Sequence, residues 1–312
     1  MKQKVLGLAA IAIMLTLVLF KFEQDSADEI STDESLILLP ELKSALDSVS
    51  KIKILSGDKA SKVTIVSDDR GWLVQEKAGY QADFETLSEL LLEISDMKIS
   101  ERKTIRVENH AKLSLADKGE SMGVIVRISA GKTHEIMVGQ TSQTQGTFVR
   151  RPDEDQVYLV EQEIDVSMDP IDYLNPVFLS IESSEVEAVV IQTSSSLLKA
   201  NRDELTKKMV IEDIPEDAEL RYDTVADSLA RIFINLRFED VEPYRPEFFS
   251  QPSVTTVTTS SGDSKTIMSE TIAETFWVHL GQEWQYRVNE FTYNELNKSV
   301  QDMLKLETEN EE

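Results

Sequence analysis

Short runs in which apolar and polar residues alternate recur along the first half of the chain. Three of them, Lys51–Leu55, Lys62–Val66 and Gly71–Gln75, are separated by turn-forming residues at 56–58 and 68–71. Alternation with a period of two places one side of a strand in the core and the other side in solvent. The pattern therefore predicts a meander of antiparallel strands.

The period changes to that of a helix after Asp83. Leu87, Leu90, Leu91 and Ile94 recur at the spacing of one helix face, and Asp83 precedes them in the position of an N-cap. Four more alternating runs follow: Gly123–Ile128, His134–Val138, Thr147–Arg151 and Gln156–Val160. We expect an α+β fold in which antiparallel β-sheets are each covered by helices.

The second half of the chain repeats this order of elements. Val186–Ile191 and Lys208–Ile211 match the early strands, and Asp223 precedes a second helical pattern. Leu90, Ile94 and Ile99 correspond to Leu229, Phe233 and Phe238 at a constant offset of 139 residues, and Tyr158 corresponds to Tyr286 at an offset of 128. Alternating strands also resemble one another for general reasons, but the shared order predicts a duplicated module. We place the first α+β module at 36–180 and the second at 181–306.

Two further segments belong to the second half. Thr292 and Glu295 have the spacing of a capping box at the start of a helix, and residues 307–312 form an acidic tail. The threonine-rich run at 253–258 has strand propensity and could pair within the chain or with another chain. The sequence leaves both pairings open.

An uncharged apolar run of 16 residues, Val5–Phe20, lies near the N-terminus after Lys2 and Lys4. Its length fits a cleavable signal peptide or a short transmembrane anchor. The residues after it offer only a poor cleavage site, so we expect residues 1–22 to form an N-terminal transmembrane signal anchor, followed by an acidic tether at 23–35. The positive-inside rule then places the body on the periplasmic or extracytoplasmic side of the bacterial inner membrane.

The charge balance excludes several classes of function. The chain has 57 acidic and 32 basic residues, a net charge of −25, and no cysteine. A nucleic-acid-binding protein needs a basic surface to neutralise phosphates, so we expect no nucleic-acid partner. Without cysteine, disulfides, thiolate nucleophiles and iron–sulfur clusters are excluded.

Residues able to carry chemistry are scattered along the sequence. His110, His134 and His279 lack the spacing of metal ligands, and Ser196 with Lys199 forms an S-x-x-K string without the companion motifs of serine acyl-enzymes. Gly131-Lys132-Thr133 lacks the earlier glycine of a phosphate-binding loop. We therefore predict no catalytic, cofactor-binding or metal residues and a protein that is not an enzyme.

Several short segments of the sequence, each typical of a strand, a turn or the start of a helix, resemble those of one family. They are the strand at Gly71-Trp72, the helix entry at Gly79–Asp83, and the hairpin from Gly146–Arg150 to Val157–Val160. Together they resemble the family called domain of unknown function 4340, over roughly Leu39 to Tyr293. The resemblance implies a bacterial envelope protein with one N-terminal anchor, and an association with ABC-type transport components.

Two hypotheses about function follow. The first is a non-enzymatic interaction or accessory module of an envelope complex, with the membrane and possible membrane transport proteins as partners. The alternative is a periplasmic solute- or polymer-binding domain with a cleft between the two repeats, where Trp72, Trp277 and Trp284 would serve as stacking platforms unless they pack in the core. The sequence leaves the oligomeric state open.

Overall fold

A computed structural model describes residues 37–305 and divides them into two compact units. The first contains 37–64 and Phe84–Met168, and the second contains Ile65–Asp83 and 169–305. The expected anchor, tether and acidic tail lie outside the described residues. Within 37–305, every helix is too short or too polar to cross a membrane.

The described residues form mostly antiparallel β-sheets with few helices. The strands are β1 (Val49–Ser56), β2 (Ser61–Asp68), β3 (Gly71–Val74), β4 (Tyr80–Gln81), β5 (Ile99–Arg102), β6 (Val124–Ala130), β7 (Lys132–Thr141), β8 (Thr147–Arg150), β9 (Val157–Val160), β10 (Val177–Leu179), β11 (Val186–Gln192), β12 (Leu197–Arg202), β13 (Met209–Ile211), β14 (Leu236–Arg237), β15 (Asp240–Pro243), β16 (Ser253–Thr259), β17 (Ser264–Ile272), β18 (Thr275–His279) and β19 (Trp284–Val288). The α-helices are α1 (Pro40–Lys43), α2 (Phe84–Ser95), α3 (Asp227–Arg231) and α4 (Glu290–Leu296). Short 3-10 turns occur at Leu46–Ser48, Gln75–Lys77, Val107–Leu113, Pro170–Tyr173, Pro246–Phe248 and Gln301–Met303.

The sheet of the first unit has the strand order β1, β6, β7, β8, β9, β5, with the start of β2 beside β1. Every pair in the series from β1 to β5 is antiparallel. One face carries a closed apolar cluster of Leu55, Leu115, Ile125, Met137 and Val157, each at most 3% exposed. Leu115 comes from the segment 103–123 that joins β5 to β6. This segment therefore covers that face of the sheet.

The sheet of the second unit has the order β13, β12, β11, β16, β17, β18, β19, β15. One face, here called the inner face, carries the buried side chains of Val189, Val257 and Ile267. Helix α4 is tied to the same face, because the Thr255 hydroxyl donates to the carbonyl of Leu296. The opposite face is here called the outer face.

Most of the predicted elements are confirmed. The predicted strands of the first half coincide with β1 to β3 and β6 to β9, and α2 begins directly after Asp83 with Leu87, Leu90 and Ile94 buried. The threonine-rich run is β16, which pairs with β11 and β17 on its two sides. Its pairing is thus internal to the chain.

Two local predictions in the second half are wrong, and one strand was missed. The helix expected from Asp223 to Leu236 is reduced to Asp227–Arg231, because Asn235 adopts a left-handed backbone with φ of 51° and Leu236 belongs to β14. Helix α4 begins after Asn289, whose side chain accepts the amide of Thr292, so Thr292 is inside the helix. Strand β12 was not predicted.

The division of the chain at residue 180 stays a prediction. The second compact unit also contains Ile65–Asp83, the end of β2 together with β3 and β4, which come from the first half of the sequence.

Candidate interaction surface

The outer face of the second sheet is built by the residues that alternate with the buried inner positions. Val190 lies opposite Thr256 on β16 and opposite Lys199 on β12. Val254 lies opposite Gln192 on β11 and opposite Met268 on β17. Directly opposed residues in an antiparallel pair share one face, so these side chains form a continuous surface.

Seven uncharged side chains dominate one half of this outer face. We call them the open face: Ala188, Val190, Leu197, Val210, Val254, Thr256 and Met268. Leu197 and Val210 are each 52% exposed, and the other five are partly exposed. Polar side chains lie between them: Asn201 is opposite both Ala188 and Val210, Gln192 is opposite both Leu197 and Val254, and Lys199 is opposite Val190. A surface of partly exposed apolar and polar side chains is typical of the places where proteins bind one another.

The other half of the outer face is closed by the segment 244–249. The ring of Tyr244 stacks on His279 with centroids 3.6 Å apart, and Phe248 meets Trp277 edge to face at 5.8 Å. The amide of Arg245 donates to Gln285 Oε1 at 2.9 Å. Trp277 and His279 are therefore buried, while the cover ends before it reaches β11 and β12.

The corresponding face of the first unit is occupied differently. Beside the closed cluster under Leu115, its strands carry Lys53 and an ion pair between Arg127 and Glu135. The first unit thus has charged side chains on the part of its sheet that the apolar cluster leaves uncovered. The second unit has valine, threonine and methionine there.

Aromatic side chains anchor the β3–β4 hairpin within the second unit. Tyr80 meets Trp284 edge to face at 5.0 Å, and Tyr286 is stacked between Phe178 at 4.8 Å and Phe238 at 5.6 Å. Burial raises the pKa of Tyr286, and the neighbouring Tyr80 hydroxyl raises it further. Both phenols stay neutral and serve packing and hydrogen bonding.

The three tryptophans proposed as stacking platforms differ in their surroundings. Trp277 is buried under Phe248 and donates its indole N–H to Thr275 Oγ1 at 2.9 Å, and Trp284 packs on Tyr80. Trp72 is partly exposed on β3, opposite Ser67. Core packing accounts for Trp277, Trp284 is partly exposed beside Tyr80, and the solute-binding alternative stays a prediction.

The three histidines occupy separate structural positions. His110 Nε2 lies 3.0 Å from the carbonyl oxygen of Asp155, and His279 Nδ1 lies 2.8 Å from that of Trp284. His134 is buried, with Nε2 unpaired among the described residues, and burial together with Lys132 lowers its pKa. Between residues 37 and 305, no three histidine or acidic side chains come close enough together to hold a metal ion.

The S-x-x-K string lies at the turn before β12. Ser196 Oγ is 2.8 Å from Thr193 Oγ1, and the backbone carbonyl of Lys199 accepts the amide of Glu212. Lys199 is on the strand and Ser196 closes the turn. Gly131 likewise forms the tight turn between β6 and β7, with φ of 69°.

The sequence of this chain matches the model of a protein family. The family model described as Domain of unknown function (DUF4340) matches residues 72–263, more than half of the chain. The chain belongs to the DUF4340 family. The DUF4340 match begins in β3 and ends after β16, a narrower range than the expected 39–293, and it includes most of the open face. Searches of curated proteins and of solved structures gave no match.

Sequence reasoning identified β16 but missed the open face. Nothing in the alternation of β11 and β16 distinguishes a covered outer face from an uncovered one. The length of the connections was a usable signal. The segment before β6, residues 103–123, is long, and the segment before β16, residues 244–252, is short.

Proposed function

We propose that this protein is a non-enzymatic interaction module of an envelope complex. In this proposal Val5–Phe20 anchors it in the bacterial inner membrane, and the body binds a partner protein on the extracytoplasmic side through the open face. The observation that carries the proposal is a partly exposed sheet face with few charged side chains on a chain with a net charge of −25. The membrane placement is supported by the sequence of residues 1–34 alone.

The charge of the molecule makes this face the favourable place for contact. Acidic proteins repel one another wherever carboxylates oppose carboxylates, and an uncharged patch avoids that cost. Side chains from two flat sheets can interdigitate across about 10 Å. Valine and threonine on β11 and β16 suit such packing, because branched side chains lose little rotamer freedom when they are buried.

We further propose that the two units arose from one duplicated module. The strand order β2, β1, β6, β7, β8, β9, β5 has the same form as β12, β11, β16, β17, β18, β19, β15. The register between the first strand and its neighbour shifts in both, at Val49/Lys51 and at Val186/Ala188. Arg102 opposite Tyr158 and Val241 opposite Tyr286 preserve the sequence offsets of 139 and 128.

The duplication supplies a reason for the open face. In the first unit the connection 103–123 contributes Leu115 to the cluster on the sheet, whereas the equivalent connection 244–252 covers only the end near β18 and β19. The second unit therefore lacks the cover that its counterpart has. A partner protein can take the place that the segment 103–123 has in the first unit.

The partner class follows from the family resemblance, which implies membrane transport proteins of the ABC type. The test is affinity purification of the full-length protein from its native membrane in mild detergent, with mass spectrometry. We expect transporter subunits with the wild type and at least a tenfold loss with L197D/V210D. Both positions are half exposed, so the fold tolerates the change.

Ile105→Asp is the matched control, because Ile105 is a similarly exposed apolar residue in the first unit. It should recover the partner as the wild type does. Equal recovery with L197D/V210D would reject the open face as the contact. Recovery of no partner by the wild type would reject the accessory role.

A further inference from the structure

A second surface feature lies on the other side of the second sheet. A cleft of about 400 Å³ opens between the end of α3 and the start of α4. Its apolar lining includes Ile232 and Leu236, and Phe291, which is 72% exposed, forms one wall. Since α4 is tied to the inner face, the cleft is distinct from the open face.

Two arginines line this cleft without acidic partners. Within residues 37–305, the guanidinium groups of Arg231 and Arg237 make no ion pair or hydrogen bond. Glu295, the acidic residue of the lining, is already bound to Lys298 at 2.6 Å. Within the part of the chain that the structure describes, two guanidinium groups at one cleft are thus not neutralised by a carboxylate.

The backbone that carries these arginines is held firmly. Asn235 adopts a left-handed conformation between them, and its amide donates to Ser180 Oγ at 3.2 Å while Ser180 Oγ donates to Asn235 Oδ1 at 3.1 Å. Arg237 is fixed on β14, opposite Val177 of β10. Both guanidinium groups therefore extend from a defined turn.

We propose that this cleft binds a short extended segment of a partner protein in which acidic residues flank an apolar side chain. The planar guanidinium fork matches a carboxylate in two parallel hydrogen bonds, which favours aspartate or glutamate over other anions of similar charge. Phe291 and the partly exposed Ile234 form the accessible apolar surface for that side chain, and the buried Ile232 and Leu236 lie beneath it.

The openness of the cleft favours a peptide over a small molecule. Sites for small molecules enclose most of the ligand surface, whereas Arg231, Asn235, Arg237 and Phe291 are all exposed. A partner segment can lie across such an open cleft while the chain on either side of it continues into solvent. This inference goes beyond the open face and does not depend on it.

The test uses the full-length protein in detergent and fluorescence anisotropy with a labelled hexapeptide of alternating glutamate and leucine. We expect saturable binding that weakens with added salt, and that is at least about tenfold weaker for a hexapeptide of alternating glutamine and leucine. R231Q/R237Q should lose at least about tenfold in affinity for the acidic peptide, and R231K/R237K should lose less. The melting temperature of each variant checks that the fold is retained.

Controls separate this inference from the proposed function. Arg70→Gln removes an exposed arginine of the same unit that pairs with Asp68, and it should leave binding unchanged. L197D/V210D should also bind the peptide as the wild type does, so failure of the open face leaves this result intact.

Three outcomes would overturn the assignment. Wild-type affinity in R231Q/R237Q would remove the arginines from the site. Equal binding of free glutamate and the hexapeptide would indicate a small-anion site. Much tighter peptide binding by a variant lacking residues 307–312 would assign the cleft to the acidic residues of the chain itself.

Discussion

Lys77 Nζ lies 2.6 Å from Asp240 Oδ1, joining residues 163 positions apart in the sequence. Lys77 precedes β4 and Asp240 begins β15, and the two side chains are only 18% and 21% exposed. The pair closes one side of the hairpin that Tyr80 anchors on Trp284 and Tyr286. Breaking it should weaken the attachment of the hairpin.

The Lys77–Asp240 pair can be measured by a double-mutant cycle. We expect Lys77→Met and Asp240→Asn each to lower the free energy of unfolding by about 1–2 kcal/mol, because each leaves a partly buried charge unpaired. Urea denaturation of both single variants and the double variant should give a coupling of about 1 kcal/mol. The exposed pair Arg70–Asp68 is the control and should show almost none; equal coupling in both pairs would contradict the role of burial.

Arg150 offers a stronger test in the first unit. Its side chain is 2% exposed and donates to the carbonyl oxygens of Leu115, Arg151, Pro152 and Glu154 and to Asp117 Oδ1. Arg150→Met would leave these oxygen atoms without their hydrogen-bond donor and should lower the free energy of unfolding by about 3–5 kcal/mol. Thermal or urea unfolding measures the loss. Asp117→Asn, which changes a mostly exposed partner, should lower it by less than about 1 kcal/mol, and a similar loss in both variants would refute this account.

His134 should make stability depend on pH. Burial and the nearby Lys132 lower its pKa below the value of about 6.5 expected in the unfolded chain. As the pH falls below about 6.5, the unfolded chain takes up a proton that the folded chain resists, so the stability present at neutral pH declines. Urea unfolding at pH 7 and pH 5 should show a smaller decline in His134→Gln than in the wild type. Equal declines would show that His134 does not contribute.

Gly146 tests the hairpin that carried the family resemblance. Its φ is 85°, and a Cβ placed there would overlap the carbonyl oxygen of Val160 on β9. Gly146→Ala should therefore lower the free energy of unfolding by about 2–4 kcal/mol. Gly79 has a similar φ of 80° but open space around it, so Gly79→Ala should lower it by only about 1 kcal/mol. Equal effects in urea unfolding would mean that the backbone conformation alone, and not the contact with Val160, sets the requirement.

The strands of the first half and the helix after Asp83 could be predicted from the sequence, because alternation and helical spacing are local properties. The same patterns gave too long a helix after Asp223, since the apolar spacing continues through Asn235 although the backbone turns there. Strand β12 was missed because Ser194–Ser196, the three serines directly before it, are typical of a loop. The offsets of 139 and 128 agree with the observed register of β5 with β9 and of β15 with β19.

The candidate sites depended on contacts that no local pattern contains. Leu197 and Val210 share the open face because β12 pairs with both β11 and β13, and Val210 lies opposite Asn201, four residues from Leu197 along β12. Arg231 and Arg237 are unremarkable in the sequence. Their importance comes from the lack of an ion pair to either guanidinium group among residues 37–305, which only the folded arrangement reveals.

The assignment of Ile65–Asp83 to the second unit has a consequence for the newly made chain. Tyr80 leaves the ribosome 206 residues before Tyr286. At a synthesis rate of about 5–20 residues per second, the hairpin waits on the order of 10–40 s for the strands that receive it. During that interval Tyr80 lacks its neighbours Trp284 and Tyr286. A factor that shields apolar strands during synthesis or export would find a target in this hairpin.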